Sequence, residues 1–439
     1  MPSVIKRLGK PLNFLYACLI VLAFMQFYAL YYAANNIMLL FCICLCAFYA
    51  MLYPSTKLID KTNFAPMMFL LIWLLYSLLS YNWAVEQDSA REYSQLIFID
   101  MGVFFVFSGF FRNQKWLKMT PYFFLIIFVM YLTTSVWEIV NLRHLPVSHY
   151  YGKLTFVPTG PFYNENNLAG FFLLPLPFIF FLPKLHRSQW LRILCGLLVL
   201  GMFVIITIQG ARIAMMAAVL FGGVGFLLLT SRATKGYSLI VIGLLIFILM
   251  QTASPLASMG GKMLIKEISS VNTEKETARM SSLRIRKQLF VEILELTAQS
   301  KFMGVGAGNL ETYMGMDRSQ RTGGVTNAHN FVLELLGDFG ILITAGFLYL
   351  YFGWIAGLYR RYKASSGKVR SLYLMYLSSL LLFIATSALP SSIKWNHLLW
   401  VYLAAVNAMS KLELGAFDRL QLKEIPDQSS ISKLLEANS

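Results

Sequence analysis

Long apolar runs separated by short polar segments dominate this 439-residue chain. Runs of roughly 17 to 25 residues match a bilayer hydrocarbon core, which is about 30 Å thick. Their positions predict about twelve transmembrane helices, near 12–30, 36–53, 65–81, 95–111, 119–142, 167–183, 193–208, 212–230, 237–254, 329–359, 371–389 and 396–410. The pattern therefore predicts an all-α polytopic membrane protein.

The polar segments suggest how these helices are grouped. We predict helices one to nine over 1–254, a large loop over 255–328, helices ten to twelve over 329–411, and a polar tail over 412–439. The absence of a small-residue cleavage site after the first apolar run indicates that this run is retained as a helix.

Two features of the large loop and the helix after it refine this division. Phe290, Ile293, Leu294 and Ala298 recur at helical spacing, which predicts an amphipathic helix lying on the bundle or at the headgroup boundary. The tenth helix would extend about 46 Å at 1.5 Å per residue, longer than a bilayer core. We therefore expect its first turns to project outside or line a water-accessible cavity, with the crossing beginning near Gly340.

Composition and charge agree with a membrane location. The chain is 57% hydrophobic and only 13% charged, whereas soluble proteins carry about a quarter charged residues. Its net charge of +16 could indicate nucleic-acid binding, but the basic residues concentrate in alternate segments between the predicted helices. That alternation is the positive-inside pattern of membrane topology. It predicts a multi-pass plasma-membrane protein with both termini cytoplasmic, the large loop outside, and no nucleic-acid partner.

Polar side chains gather at the outer end of the predicted bundle. Residues 160–167 lead into the sixth helix, 209–212 form the turn between helices seven and eight, and the long loop ends at His329. Arg212 is the most informative because uninterrupted apolar helix flanks its turn on both sides. Ionisable residues in such places are functional by default, although an arginine can also extend to headgroup phosphates.

These residue types restrict the chemistry that the outer end could perform. Guanidinium groups match phosphate oxygens in bidentate geometry, so two arginines at the membrane surface would suit a lipid diphosphate. His329 could take a proton from an attacking hydroxyl, or it could simply form hydrogen bonds near a helix N-terminus. Glu165 is an alternative base, and His397 could join the site or cap a helix. Because no carboxylate cluster resembles a metal site, we expect neither a metal nor another cofactor.

Five segments occur in a specific order along the chain. They are FYNENNLA at 162–169, QGAR at 209–212, SLRIRKQLF at 282–290, GVGAGN at 304–309 and NAHN at 327–330. Together they resemble the O-antigen ligase and O-antigen polymerase family of bacterial membrane glycosyltransferases. The resemblance implies a GT-C-like helical fold. It also implies transfer of a glycan from an undecaprenyl-diphosphate carrier to an acceptor hydroxyl at the outer face of the inner membrane.

The resemblance also assigns roles to individual residues. By position, Arg212 and Arg286 match the family's diphosphate-binding arginines, and His329 matches its candidate base. Phe290 stands where the family often has tryptophan, which leaves Arg284 as a rival to Arg286. Four further residues are candidates for contacting substrate or acceptor: Asn330, Glu165, Asn167 and Glu334.

The acceptor and one rival function remain open at this point. Family members pass the glycan to a lipid-A core, to another carrier-linked repeat or to other hydroxyls, so the expected partners are a carrier-linked donor, a glycan or lipid-A-core acceptor, and membrane lipids. The rival is a transporter or flippase of lipid-linked oligosaccharide. Transporters place polar groups near the bilayer midplane, whereas here they gather at one rim, which favours glycan transfer.

Overall fold

The computed structural model describes residues 32–52, 61–186, 188–229, 282–318, 321–388 and 396–412. The helices expected near 12–30 and 237–254, and nearly all of the polar tail, lie outside these ranges. Every regular element inside them is helical. The helices are α1 (Tyr32–Leu52), α2 (Phe64–Leu79), α3 (Gln87–Phe110), α4 (Gln114–Asn141), α5 (Glu165–Leu173), α6 (Leu176–Phe181), α7 (Gln189–Gln209), α8 (Arg212–Leu229), α9 (Ser282–Gln299), α10 (Leu310–Tyr313), α11 (Phe331–Ala364), α12 (Gly367–Thr386) and α13 (His397–Lys411).

Seven helical segments within the described ranges are long and apolar enough to cross a membrane. The α5–α6 pair with its following turn counts as one of these segments. This confirms the predicted all-α polytopic membrane protein. The count of twelve crossings and the domain boundaries stay predictions.

Aromatic side chains fill the centre of the bundle. The rings of Phe124 and Phe178 stack with centroids 4.7 Å apart, and Tyr376 meets Phe178 edge-on at 5.1 Å. Helix α13 is buried on nearly every side, as expected for a helix that is apolar all round. It lies chiefly against α3 and also contacts α11, so it is a central element of the core.

Helix α3 begins at Gln87, about two turns before the predicted start at residue 95. The predicted start near residue 95 was therefore wrong, because residues 87–94 are already helical. The reason is tertiary packing: Tyr93 and Ser94 are buried, and the Ser94 hydroxyl lies 2.6 Å from that of Ser77 on α2. The helical start was not predicted because the residues before the apolar run are mostly polar.

The amphipathic helix predicted in the large loop is α9. Its buried face, with Leu289, Ile293 and Leu296, forms a small second core together with Val305 and residues of α10 and the following turn. Its opposite face exposes apolar side chains: Phe290, Val291 and Leu294. The described part of the loop thus folds as a cap on the first turns of α11, which α9 contacts.

Helix α11 is interrupted at Gly340, where the backbone has φ 71° and ψ −166°. The expectation that the membrane crossing begins near this residue stays a prediction. The amide of Ile341, next to the break, donates to the Phe302 carbonyl at 3.0 Å. The cap therefore supplies an acceptor where the helical hydrogen-bond ladder is interrupted.

The glycine-rich loop 304–309 packs its backbone directly against this break. Val305 donates its amide to the Gly337 carbonyl at 2.8 Å, and Gly306 donates to Asp338 at 3.0 Å. A Cβ at Gly304 would lie 2.5 Å from the Asp338 carbonyl oxygen. The glycines thus permit close contact between two backbones, and those two amides are used within the fold rather than for a phosphate.

Replacing Gly340 with alanine should destabilise the protein by at least about 3 kcal/mol. A left-handed non-glycine residue alone costs about 1–3 kcal/mol. The new Cβ would also lie 2.0 Å from the Phe302 carbonyl oxygen. Thermal unfolding of the detergent-purified protein measures the change. Gly353→Ala is the matched control, because a Cβ at this helical position of α11 meets nothing within 4 Å. Equal melting temperatures for the two variants would contradict the conclusion that only glycine fits the backbone at position 340.

Candidate functional site

His329 lies just before α11, with its backbone in the left-handed region at φ 48°. Histidine tolerates this conformation better than most residues. The side chain is half-buried, and its Nδ1 atom is enclosed without a hydrogen-bond partner among the described residues. The ring is thus presented at the end of the bundle where α11 begins, which we call the His329 end.

Burial, and secondarily the positive charge of Arg286, lower the pKa of His329 from its ordinary value to about 4. The imidazole is therefore neutral at pH 7. A neutral imidazole can accept a proton, which general-base catalysis requires. Binding of an anion beside Arg286 would oppose this shift and make the ring more basic.

Asn330 has a defined structural role as the N-cap of α11. Its side-chain oxygen accepts hydrogen bonds from the amides of Val332 at 2.9 Å and Leu333 at 3.1 Å. Capping satisfies amides that the first helical turn leaves unpaired. The geometry therefore explains Asn330 as a residue that fixes the helix start next to His329.

The end of α12 holds both the His329 segment and Arg286. The amide of Phe331 donates to the Ser387 carbonyl at 3.0 Å. Arg286 Nη1 donates to the carbonyl of the adjacent Ala388 at 2.5 Å. Two consecutive carbonyls thus position the two groups relative to each other, an arrangement that no sequence motif indicated.

The two candidate arginines of α9 differ in environment. Arg286 is half-buried and lies near enough for its positive charge to lower the pKa of His329. Burial also lowers the pKa of the Arg286 guanidinium. Arg284 is exposed. Arg286 donates one hydrogen bond to Ala388 and has five N–H groups in all, so it retains donors for a phosphate oxygen. The geometry favours Arg286 over Arg284 as the anion-binding group.

Arg212 begins α8, directly after the turn in which Gly210 ends α7 with φ 66°. The preceding Gln209 donates its side-chain amide to the Pro158 carbonyl at 2.9 Å, which fastens this turn to the segment leading into α5. Helix α8 contacts both α5 and α12. Arg212 therefore lies at the end of the bundle where α5 begins, on a helix that packs against α12.

A hydrogen bond between α12 and the α5–α6 turn places Glu165 at nearly the same depth in the bundle as the end of α12. The Ser379 hydroxyl donates to the Leu174 carbonyl at 2.7 Å. From this point α12 runs about 12 Å to Ser387, and α5 runs about 14 Å in the same direction to Glu165. The start of α5 and the end of α12 therefore lie at nearly the same level of the bundle.

Glu165 and Asn167 lie in the first turn of α5. Asn164 caps this helix by accepting the Asn167 amide at 2.9 Å. Glu165 Oε2 lies 3.9 Å from Nε2 of His149, a histidine for which the sequence suggested no partner. The rings of His149 and Tyr150 have centroids 3.8 Å apart. Both side chains of the Glu165–His149 pair are partly exposed, so the pair is accessible to a ligand.

Glu334 is buried within the bundle, one turn into α11. Its Oε1 accepts a hydrogen bond from the Tyr93 hydroxyl at 3.3 Å. Tyr93 also meets Phe339 edge-on, with ring centroids 5.4 Å apart. Glu334 thus joins α3 to α11, which indicates a structural role for this residue in the unliganded protein.

Two buried acid–histidine pairs were not predicted from the sequence. Glu138 accepts from the backbone amides of Thr159 at 2.8 Å and Gly160 at 2.6 Å, and its Oε1 lies 3.2 Å from His144 Nδ1. His397 Nδ1 lies 2.6 Å from Asp100 Oδ1, with the His397 side chain fully buried. In the sequence, Asp100 and Glu138 each stand out as a carboxylate within an apolar helix. The sequence alone did not show which histidine each of them contacts.

Within the ranges that the structure describes, no three His, Cys, Asp or Glu side chains are grouped to hold a metal ion. The candidate groups at the His329 end are instead a neutral imidazole, guanidinium groups and the Glu165 carboxylate. Guanidinium groups bind phosphate without a bridging cation. This set of side chains is suited to an anionic substrate.

Comparison with known proteins agrees with the sequence motifs. Residues 196–348 match the family model described as O-antigen ligase, a stretch that contains Arg212, Arg286 and His329. The chain is also 25% identical over 362 residues to the teichuronic acid biosynthesis protein TuaE of Bacillus subtilis (strain 168). That alignment covers 78% of this chain and 70% of the Bacillus protein. Both matches support a glycosyltransferase-like role in polysaccharide biosynthesis. The resemblance inferred from the motifs is thus confirmed, and residues 196–348 of this membrane protein match the O-antigen ligase family model.

Proposed function

We propose that the protein transfers a glycan from an undecaprenyl-diphosphate carrier to an acceptor hydroxyl at the outer face of the bacterial plasma membrane, without a metal. The observation that carries this proposal is that the adjacent carbonyls of Ser387 and Ala388 hold the segment after His329 and the guanidinium of Arg286 at one end of an apolar bundle. The carrier's lipid tail would remain in the bilayer, and its diphosphate would reach the arginines at the surface.

In the proposed reaction the acceptor oxygen attacks the anomeric carbon of the donor sugar. The bond from that carbon to the diphosphate oxygen breaks, and the diphosphate leaves with the electron pair. His329 takes the proton of the acceptor hydroxyl, and Arg286 and Arg212 stabilise the charge that develops on the leaving group. Glu165 lies at the level of α12's end and is a candidate to contact the acceptor.

Among family activities, formation of a polysaccharide by polymerisation is favoured over ligation to a lipid-A core. The similar Bacillus protein is named for teichuronic acid biosynthesis, which concerns a polymer. The GVGAGN and NAHN segments also resemble polymerase or exopolysaccharide members more closely. The acceptor is then a second carrier-linked glycan.

The proposal is tested with purified full-length protein in lipid nanodiscs, carrier-linked glycan and an acceptor pool. We expect a ladder of product lengths and no loss of rate on chelation of divalent cations. Deleting the gene should abolish the ladder in cells. Accumulation of complete, unligated carrier-linked polymer would instead indicate a ligase. Accumulation of carrier-linked repeats in the cytoplasmic leaflet, with no product in vitro, would indicate a flippase.

A further inference from the structure

A second concave site lies at the His329 end, away from His329 itself. It is a cavity of about 400 Å³ beneath the turn that follows α9, and Trp83, Gln299, Lys301 and Tyr313 line it. This volume falls within the range of small-molecule sites, roughly 300–1,000 Å³. None of its lining residues takes part in the transfer chemistry proposed above.

The lining combines aromatic rings with flexible polar groups. Trp83 and Tyr313 contribute the rings, and the exposed side chains of Gln299 and Lys301 contribute hydrogen-bond donors and an amide acceptor. A sugar ring presents an apolar C–H face and hydroxyl groups around its edge. Aromatic faces carry negative charge density that attracts such C–H groups, while hydroxyls need polar partners. The rest of the lining is partly apolar and includes Leu296, Met303 and Val305. The lining as a whole therefore offers apolar surface to the C–H face of a sugar and polar groups to its hydroxyls.

Contacts between the cap and the bundle fix the cavity walls. The Tyr76 hydroxyl donates to the Met303 carbonyl at 2.8 Å, and the Tyr76 ring meets that of Trp83 edge-on at 5.8 Å. The Gly304 amide donates to the Ser300 hydroxyl at 3.0 Å. The site is thus preformed, as binding sites for small molecules generally are.

The wall also contains strained backbone. Lys301 and the adjacent Phe302 have φ values of 53° and 65°, in the left-handed region that non-glycine residues rarely adopt. Such residues cost about 1–3 kcal/mol each and are found preferentially at ligand-binding positions. Here the strain turns the chain sharply after α9 and places Lys301 at the cavity.

The cavity lies at a fixed distance from the transfer site. Helix α9 runs from Arg286 to Gln299, which is about 20 Å at 1.5 Å per residue. Arg286 near the start of α9 and Phe331 at the start of α11 bond adjacent carbonyls of Ala388 and Ser387. Further along both helices, the Thr297 hydroxyl contacts the Leu336 carbonyl at 3.4 Å, so α9 and the start of α11 run in the same direction. The separation corresponds to a short oligosaccharide.

We propose that this cavity binds a sugar unit of the glycan chain, about 20 Å from the bond being formed. The inference rests on the proposed glycan transfer. It assigns the cavity to the same substrate, at a position remote from the diphosphate. A longer glycan then reaches both sites, whereas a single short repeat reaches only the transfer site.

Direct binding tests the proposal with free oligosaccharides of two to six sugars, cut from the polysaccharide that gene deletion abolishes. Calorimetry on the full chain in nanodiscs should show binding by the wild type and by Arg286→Gln. Trp83→Leu and Gln299→Ala should each weaken it about tenfold. Trp83→Phe should retain most of the affinity because a ring remains. Trp190→Leu is the matched control, since Trp190 is 81% exposed near the opposite end of the bundle.

Turnover separates this inference from the proposed function. With donors of one and of several repeats, wild-type kcat/KM should rise with glycan length, and Trp83→Leu and Gln299→Ala should remove only that rise. Folded variants that bind oligosaccharides like the wild type would overturn the cavity assignment, as would a wild type that binds none at millimolar concentration. Unchanged turnover in Arg286→Gln would overturn the transfer mechanism instead, whatever the binding result.

Discussion

Replacing His329 with asparagine should reduce glycan transfer by about 10²- to 10⁴-fold and leave the fold intact. Asparagine also tolerates the left-handed backbone that this position requires, φ 48°, so the substitution removes the imidazole without new strain. Its amide cannot accept the proton of an attacking hydroxyl. The loss should appear in kcat, because the arginines that bind the donor remain.

Initial rates of product formation from purified carrier-linked glycan measure this effect. The matched control is His186→Asn. His186 hydrogen-bonds Tyr122 near the opposite end of the bundle and should be replaceable with little change in rate. Wild-type turnover in His329→Asn would exclude the imidazole as the base. Loss of turnover in Glu165→Gln, with His329→Asn active, would assign that role to the carboxylate.

Replacing Arg286 with glutamine should reduce transfer about 100-fold, which corresponds to roughly 2.7 kcal/mol of lost transition-state stabilisation. Arg286→Lys should recover only part of this, because an ammonium keeps the charge and loses the bidentate geometry. Arg284→Gln is the matched control, with an expected change of about twofold or less, because its side chain is exposed. A larger loss in Arg284→Gln than in Arg286→Gln would reverse the assignment.

The Arg286 variant should also change the pH dependence of kcat/KM, which reports the free enzyme. His329 must be neutral to act as a base, and its pKa is about 4 in the folded protein, so the wild-type rate should fall only as pH drops toward 4. Removing the positive charge of Arg286 raises the His329 pKa. The fall should therefore move to higher pH in Arg286→Gln and stay in place in Arg284→Gln.

The helices could largely be predicted from the sequence because lipid requires long apolar runs. Helix α7 extends four residues before its predicted start at 193 and ends within one residue of the prediction. The prediction failed where tertiary contacts extend a helix beyond its apolar run, as at Gln87 of α3. Length alone indicated that the tenth helix could not be one simple crossing, since 31 continuous residues exceed a bilayer core. The backbone break at Gly340 itself was not predicted.

The chemical groups of the site could be predicted, but the contacts that position them could not. Residue type and order indicated His329 and the arginines. The structure adds that Arg286 is half-buried and bonded to the end of α12, whereas Arg284 is exposed, which depends on how α9 is rotated against the bundle. Asp100 and His397 are 297 positions apart in the sequence, so only the packing of α13 against α3 shows that they are paired.

The end of α12 binds the site through two main-chain carbonyls, those of Ser387 and Ala388, and this has a consequence for mutagenesis. A carbonyl is present whatever the side chain, so exchanging Ser387 or Ala388 for most other residues leaves both hydrogen bonds available. Inserting one residue in α12 would instead rotate its end by about 100° and shift it about 1.5 Å, displacing both bonded groups together. Substitution scanning would therefore pass over this segment, whereas insertion and deletion scanning would reveal it. Selection at this point of the chain would act on the length of the helix rather than on the identity of its last residues.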